Sequence, residues 1–99
     1  MHDIPLYLYT MAKKIAILIR NRKEEAFRMA VGATLANDAV DIFVMDEKLE
    51  TDYDMTVNLE MLSDLKARVF SNCPDNPFEQ KKTAEIAAML TEYDVVIPY

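Results

Sequence analysis

Ile15-Ala-Ile-Leu-Ile19, then Glu24 to Ala36, then Val40-Asp-Ile-Phe-Val-Met45 carry the clearest fold signal in the chain. The first is a continuous apolar run of the kind buried on both faces of a parallel sheet. In the second, Phe27, Val31 and Leu35 recur at i, i+4 and i+8, which is one face of a helix. Asn37-Asp38 is expected to close that helix, because Asn tolerates the left-handed conformation at a helix end. The third is a second strand. Together they have the size and order of a βαβ crossover, expected to be right-handed.

The same pattern repeats toward the carboxyl end. Thr51-Asp-Tyr-Asp54 offers a hydroxyl cap with a carboxylate three residues later, a helix start. Met55, Leu59 and Leu62 continue it on one face, and Met61 and Leu65 widen the stripe. Ala67 to Phe70 is a short third strand. Asn76-Pro77-Phe78-Glu79 supplies an Asn cap, Pro at the first helical position and Glu at the third, so a helix is predicted there. Thr83 restarts a helical segment whose buried side is Ile86, Met89 and Leu90. Tyr93-Asp-Val-Val-Ile97 is the last strand. The expected class is α/β, a three-layer α/β/α sandwich with a mainly parallel sheet of four to five strands. Residues 11–99 form its single domain. Met11-Ala-Lys-Lys14 reads as a plausible translational start, which makes residues 1–10 an N-terminal extension. Alternatively, Leu6-Tyr-Leu-Tyr9 adds an edge strand or covers an apolar patch.

Length and composition bound the function. A chain of 99 residues, 52% hydrophobic, suits one small globular domain. Its apolar runs are too short and interrupted for a membrane span. A single cysteine builds no disulfide framework and fits a reducing cytoplasm, and Met1 to Thr10 makes a poor signal peptide. The net charge of −6 disfavours nucleic acid as a partner. Residues 1–37 hold six basic and three acidic side chains, and residues 38–99 hold five and fourteen. That asymmetry favours head-to-tail association between copies, unless it reflects only solvated helix faces.

Several chemistries are excluded. Gly32 is the only glycine and lies inside the first helix, while the first strand-helix turn reads Arg20-Asn-Arg-Lys23. Dinucleotide fingerprints and P-loops need glycines at that turn. Gly32 is expected to let its helix pack closely on the sheet, at a cost of about 1 kcal/mol relative to Ala. The same turn lacks the paired acids of a phosphoacceptor domain. Asp46, Glu47, Glu50, Asp52 and Asp54 gather acids near one sheet edge, oxygens of the kind that bind a hard cation. Their spacing matches no cation-binding loop and acids suit a helix start, so no metal is expected and a metal-dependent activity is the third and weakest reading. The only histidine, His2, lies in the extension, so a Cys-His dyad or Ser-His-Asp triad has no base in the domain. Met29, Met45, Met55, Met61 and Met89 fall at core-facing spacing and read as soft core filling. Tyr93 and Tyr99 bracket a final strand whose apolar end hints at a subunit contact.

Cys73 is the remaining candidate. It follows Ala67-Arg-Val-Phe-Ser-Asn72, where an apolar run breaks into a Pro/Asn turn, so it lies just past the carboxyl end of a strand. Open α/β folds place their ligands at that edge. Two features favour a thiolate there: the helix start expected near Pro77 and the basic cluster Arg20, Arg22 and Lys23. Asp75 and Glu79 work against it. The alternative is a small, partly buried hydrophobe with no chemistry.

Lys14-Ile-Ala-Ile-Leu-Ile19, Ala26-Phe-Arg-Met-Ala-Val-Gly-Ala-Thr-Leu-Ala36, Val40-Asp-Ile-Phe-Val-Met-Asp46 and Tyr93-Asp-Val-Val-Ile-Pro-Tyr99 together resemble the DsrE/DsrF-like (DsrEFH, YchN-like) proteins over residues 12–99. The resemblance implies the α/β/α fold and assembly into homo-oligomers or related hetero-oligomers, with trimers or hexamers common. It also implies sulfur passed along a relay as a cysteine persulfide, for which Cys73 is the only residue that matches. The context Ser71-Asn72-Cys73-Pro74 departs from that of the relay members. On this reading Cys73 bears the sulfur, and Asn72 and turn N–H groups stabilise its charge. Arg20 and Arg22 steer an anionic sulfur donor, and Asn21 joins them and Asn72 in the expected binding set. The partners are sulfur donor and acceptor proteins, no cofactor is needed, and the chain is a carrier more than a stand-alone enzyme. The competing expectation is a non-catalytic oligomeric binding or assembly module with a structural cysteine.

Overall fold

Five parallel strands in the order β4-β3-β2-β1-β5 form the central sheet of the computed structural model, which describes residues 14–35, 39–50 and 52–99. The elements run β1 (Lys14–Ile19), α1 (Lys23–Leu35), β2 (Ala39–Val44), α2 (Tyr53–Asp64), β3 (Arg68–Ser71), β4 (Glu79–Gln80), α3 (Thr83–Leu90) and β5 (Val95–Pro98). This is the α/β sandwich expected from the sequence. The expectations for Asn37-Asp38, Thr51 and the first thirteen residues lie outside the described residues.

Alternation along β1 and β2 divides the core in two. Ile15, Ile17, Ile19, Val40, Ile42 and Val44 face one side, where Ala26, Phe27, Ala30 and Val31 of α1 and Met55 and Leu62 of α2 close over them. Ala16, Phe43, Met45 and Phe70 face the other side, where α3 contributes Ile86. A strand between two helical layers has no solvent face, which is why β1 and β2 read as unbroken apolar runs. The chain steps from β1 to β2 on one side and returns with β5 on the other. The carboxyl ends of β1 and β5 therefore form a topological switch point, the usual location of a ligand crevice in such sheets.

Three expectations are corrected, and the cap of α2 is identified. No helix starts at Asn76-Pro77: Glu79 and Gln80 form the short parallel strand β4, and α3 begins only at Thr83. Asn76 is buried, so its side chain answers interior polar groups and is not free to cap a helix. At α2 the cap is Asp52, whose carboxylate accepts the Met55 N–H at 2.8 Å. Gly32 does not touch the sheet, and a Cβ built there meets nothing within 4 Å. Of the five methionines expected in the core, Met45 and Met55 are buried and Met89 is half-buried, whereas Met29 and Met61 are exposed.

Candidate functional site

The carboxyl edge of the sheet brings together most of the residues singled out from sequence. Arg20, Asn21 and Arg22 follow β1, Asp46 follows β2, and Asn72 and Cys73 follow β3. A polar row crosses this edge. The Arg20 Nε lies 3.7 Å from the Asp46 carboxylate. The Asn72 amide then clamps Asp46, its oxygen accepting the Asp46 N–H at 2.7 Å and its nitrogen donating to Asp46 Oδ1 at 3.0 Å. The same nitrogen donates to Thr83 Oγ1 at 2.9 Å, tying the row to the start of α3. Asp46 adopts φ 68°, a left-handed conformation that Asp tolerates better than most residues. Both amide groups of Asn72 are thus engaged by Asp46 and Thr83.

Cys73 is a free, half-buried thiol on a turn built almost wholly from hydrogen bonds. Its N–H donates to Ser71 Oγ at 3.0 Å, and its carbonyl accepts from the Asn76 N–H at 3.1 Å and Gln80 Nε2 at 3.0 Å. Asn76 locks the turn to the β2–α2 loop. Its Oδ1 accepts the Leu49 N–H at 2.7 Å, and its Nδ2 donates to the Glu47 carbonyl at 3.0 Å and Ser71 Oγ at 2.9 Å. Ser71 Oγ in turn donates to the Val44 carbonyl at 2.7 Å. A segment with no regular ladder must find partners for its buried polar groups elsewhere, and these two side chains supply them. The helix N-terminus expected beside Cys73 is not there, since the nearest helix starts at Thr83.

Arg22 and Asn21 belong to a different part of the edge. With Lys23, Arg28, Glu50 and Asp52 they line an open groove of about 520 Å³ between α1 and the β2–α2 loop, and Cys73 does not reach it. Its charges are largely paired, Arg22 with Glu25 at 3.6 Å, Lys23 with Glu47 at 3.3 Å and Arg28 with Glu24 at 3.8 Å. The Arg22 guanidinium also lies over the Tyr99 ring, 5.5 Å from its centre. Each member of the basic cluster is thus paired with a neighbouring acid, Arg20 with Asp46, Arg22 with Glu25 and Lys23 with Glu47. Among the described residues, no three His, Cys, Asp or Glu side chains converge as a metal-ligand set.

Sequence reasoning missed a second polar cluster, at the opposite end of the sheet. Buried Asp41 on β2 accepts a bidentate pair from Arg68, Nε to Oδ1 at 3.1 Å and Nη2 to Oδ2 at 2.7 Å. The Tyr93 hydroxyl donates to the same carboxylate. Burial resists ionisation of Asp41, but the Arg68 and Tyr93 hydrogen bonds outweigh it and hold the carboxyl below its ordinary range. Burial, then the bond to Asp41, pushes the Tyr93 phenol up. The signal was present: an acid inside Val40-Asp-Ile-Phe-Val-Met45 must be paired to be buried. The bond network leaves this cluster satisfied, which marks it as a fastening between β2, β3 and the chain entering β5. Among the described residues no helix is long and apolar enough to cross a membrane. No protein-family model, curated protein or solved structure matches the chain.

Proposed function

We propose that the chain is a DsrE/DsrF-like persulfide carrier with Cys73 as its sulfur-bearing residue. One observation carries this reading: Cys73 is a half-buried residue with a free thiol on a hydrogen-bonded turn at the carboxyl edge of a parallel sheet. A carrier needs an accessible thiol on a stiff support and a surface for its donor, but no acid-base machinery of its own, because a partner enzyme loads it. In the loading step the Cys73 thiolate attacks the outer sulfur of a donor persulfide, R–S–SH. The donor S–S bond breaks, R–S⁻ leaves, and Cys73 becomes Cys–S–SH. Delivery to an acceptor thiolate repeats the exchange in reverse. Such a thiol works where it stays reduced, so the reading carries the cytoplasm with it.

The role first assigned to Asn72 moves with this reading. Its amide holds Asp46 and Thr83, so it acts as a brace between β2, β3 and α3 and not as a donor to the thiolate. Arg20 and Arg22 contribute at most long-range attraction, because each has an acid within 4 Å. A second reading, the binding module, draws on the groove lined by Asn21 and Arg22. Intact-mass measurement after incubation with a persulfide donor separates the two. The carrier predicts a gain of one sulfur, absent in Cys73→Ala and transferable to an acceptor thiol. No adduct on the folded protein, with labelling once it is unfolded, would make Cys73 structural and leave the groove as the site.

A further inference from the structure

The two edges of the sheet differ. β4 is two residues long and carries exposed Glu79 and Gln80, a short polar edge of the kind that resists pairing. β5 is uncharged, Val95-Val-Ile-Pro98, with Val96 40% exposed. Among the described residues β5 is bonded only to β1. Which groups it turns outward follows from its ladder. The Tyr99 N–H donates to the Leu18 carbonyl at 2.8 Å, and the Tyr99 carbonyl accepts the Arg20 N–H at 2.8 Å. Residues 95, 97 and 99 thus face β1, and alternation turns the backbone groups of Val96 and Pro98 away from it. Pro98 has no N–H, so Val96 holds the strand's one outward donor.

We propose that the β5 edge is a twofold interface between two copies of this chain, paired antiparallel with Val96 on the axis. In that register the Val96 N–H and carbonyl exchange with those of the partner's Val96, the narrow hydrogen-bonded pair of an antiparallel ladder. Val95 then stands opposite the partner's Ile97, an apolar pair on the α1 side. Charge selects the antiparallel sense. Arg20 and Arg22, in exposed pairs with Asp46 and Glu25, flank the carboxyl end of β5, Arg22 lying over Tyr99. Glu92 and Asp94, whose carboxylate accepts the Lys14 N–H at 2.8 Å, flank its amino end. Lys14, at that same end, is turned onto the Tyr93 ring 4.9 Å away. An antiparallel pairing sets the basic end of each copy beside the acidic end of the other, whereas a parallel one would set like ends together. A second copy needs no foreign sequence to complete this edge, and a twofold contact is the commonest closed assembly. The assignment stands apart from the chemistry at Cys73.

Sedimentation equilibrium on the full chain, beside Val96→Lys, Arg22→Glu and the double variant Arg22→Glu/Asp94→Lys, tests it. The wild type should be a dimer, or a larger assembly containing one, and Val96→Lys should be monomeric with an unchanged far-ultraviolet spectrum. Arg22→Glu should weaken association, and adding Asp94→Lys should restore it. Because a variant can fail to fold, Val96→Cys in a Cys73→Ser background provides a second readout. Its thiols should form an intermolecular disulfide on oxidation, since paired Cα atoms there lie about 5.5 Å apart. A monomeric wild type, a dimer that Val96→Lys leaves intact, or no cross-link would overturn the proposal. So would a monomer whose Val96 amide is protected from hydrogen exchange until residues 1–10 are deleted, because the chain itself would then occupy the edge.

Discussion

Asp41 shows how one residue can hold a sheet together while its neighbours are all apolar. Its carboxylate is buried and shared between Arg68 and Tyr93, so removing its charge leaves both without their strongest acceptor. Asp41→Asn should cost about 2 kcal/mol at pH 7, a charged hydrogen-bonded pair reduced to a neutral one. The pH dependence has a definite sign. The folded carboxyl titrates below its ordinary value of 3.8, so its stabilisation is full above that value and is lost as pH falls through the lower folded value. Chemical denaturation should therefore show a constant gap between wild type and Asp41→Asn from pH 7 to about pH 5, shrinking below about pH 4. Equal gaps at pH 3 and pH 7 would remove Asp41 as the cause. Asn76 is the counterpart at the other edge. Asn76→Ala strands the buried Leu49 N–H and two further partners, so a loss of about 3 kcal/mol is expected, together with faster alkylation of Cys73 as its turn loosens. Unchanged alkylation would separate the thiol from this network.

At the level of elements, periodicity was enough where a segment is buried on a regular face. β1, β2 and α1 were legible because Ile17, Ile42 and Phe27 lie in apolar patterns that match two helical layers over a sheet. The stretch from Asn76 to Gln80 was not legible, although it carried the strongest cap signals in the chain. Those signals describe how a solvated Asn and a Pro start a helix, whereas here Asn76 is drawn inside by Ser71, Glu47 and Leu49, which lie up to 29 positions away in sequence. Of the candidate site, the placement of Cys73 past β3 could be read from sequence, but the division of Asn21 and Arg22 into a separate groove could not. The same tertiary information corrects Gly32. A glycine inside α1 suggested close packing, yet its outer side is open. Gly32→Ala should therefore raise stability by about 1 kcal/mol, through propensity and a more restricted unfolded chain. A thermal melt is sufficient to check it, and a lower melting temperature would mean that something in solution approaches this face.

Across the whole molecule the two cores are unequal, and this sets where the structure should open first. The side covered by α1 and α2 holds Ile15, Ile17, Ile19, Phe27, Ile42, Val44 and Leu62 among its buried residues. The other side relies on Ala16, Phe43, Met45, Phe70 and Ile86, with Ile86 the one fully covered residue of α3. Met89 and Leu90 are only partly covered, and α3 has eight residues, short of the length at which a helix persists without tertiary support. Opening α3 exposes little apolar surface, whereas opening α1 exposes Phe27 and most of the larger core, so the two steps differ in free energy. Native-state hydrogen exchange should find α3 amides exchanging through an opening well below the global unfolding free energy, with α1, β1 and β2 exchanging only at the global value. Ile86→Ala should cost about 2–4 kcal/mol, drawn mainly from that smaller core. Its larger effect on α3 amides than on α1 amides would identify α3 as the separable unit. Uniform protection across α1 and α3 would mean that the two layers unfold together. In that case the fastening at Asp41, Arg68 and Tyr93, which links β2 to the chain entering β5, would be the coupling to test next by repeating the exchange on Asp41→Asn.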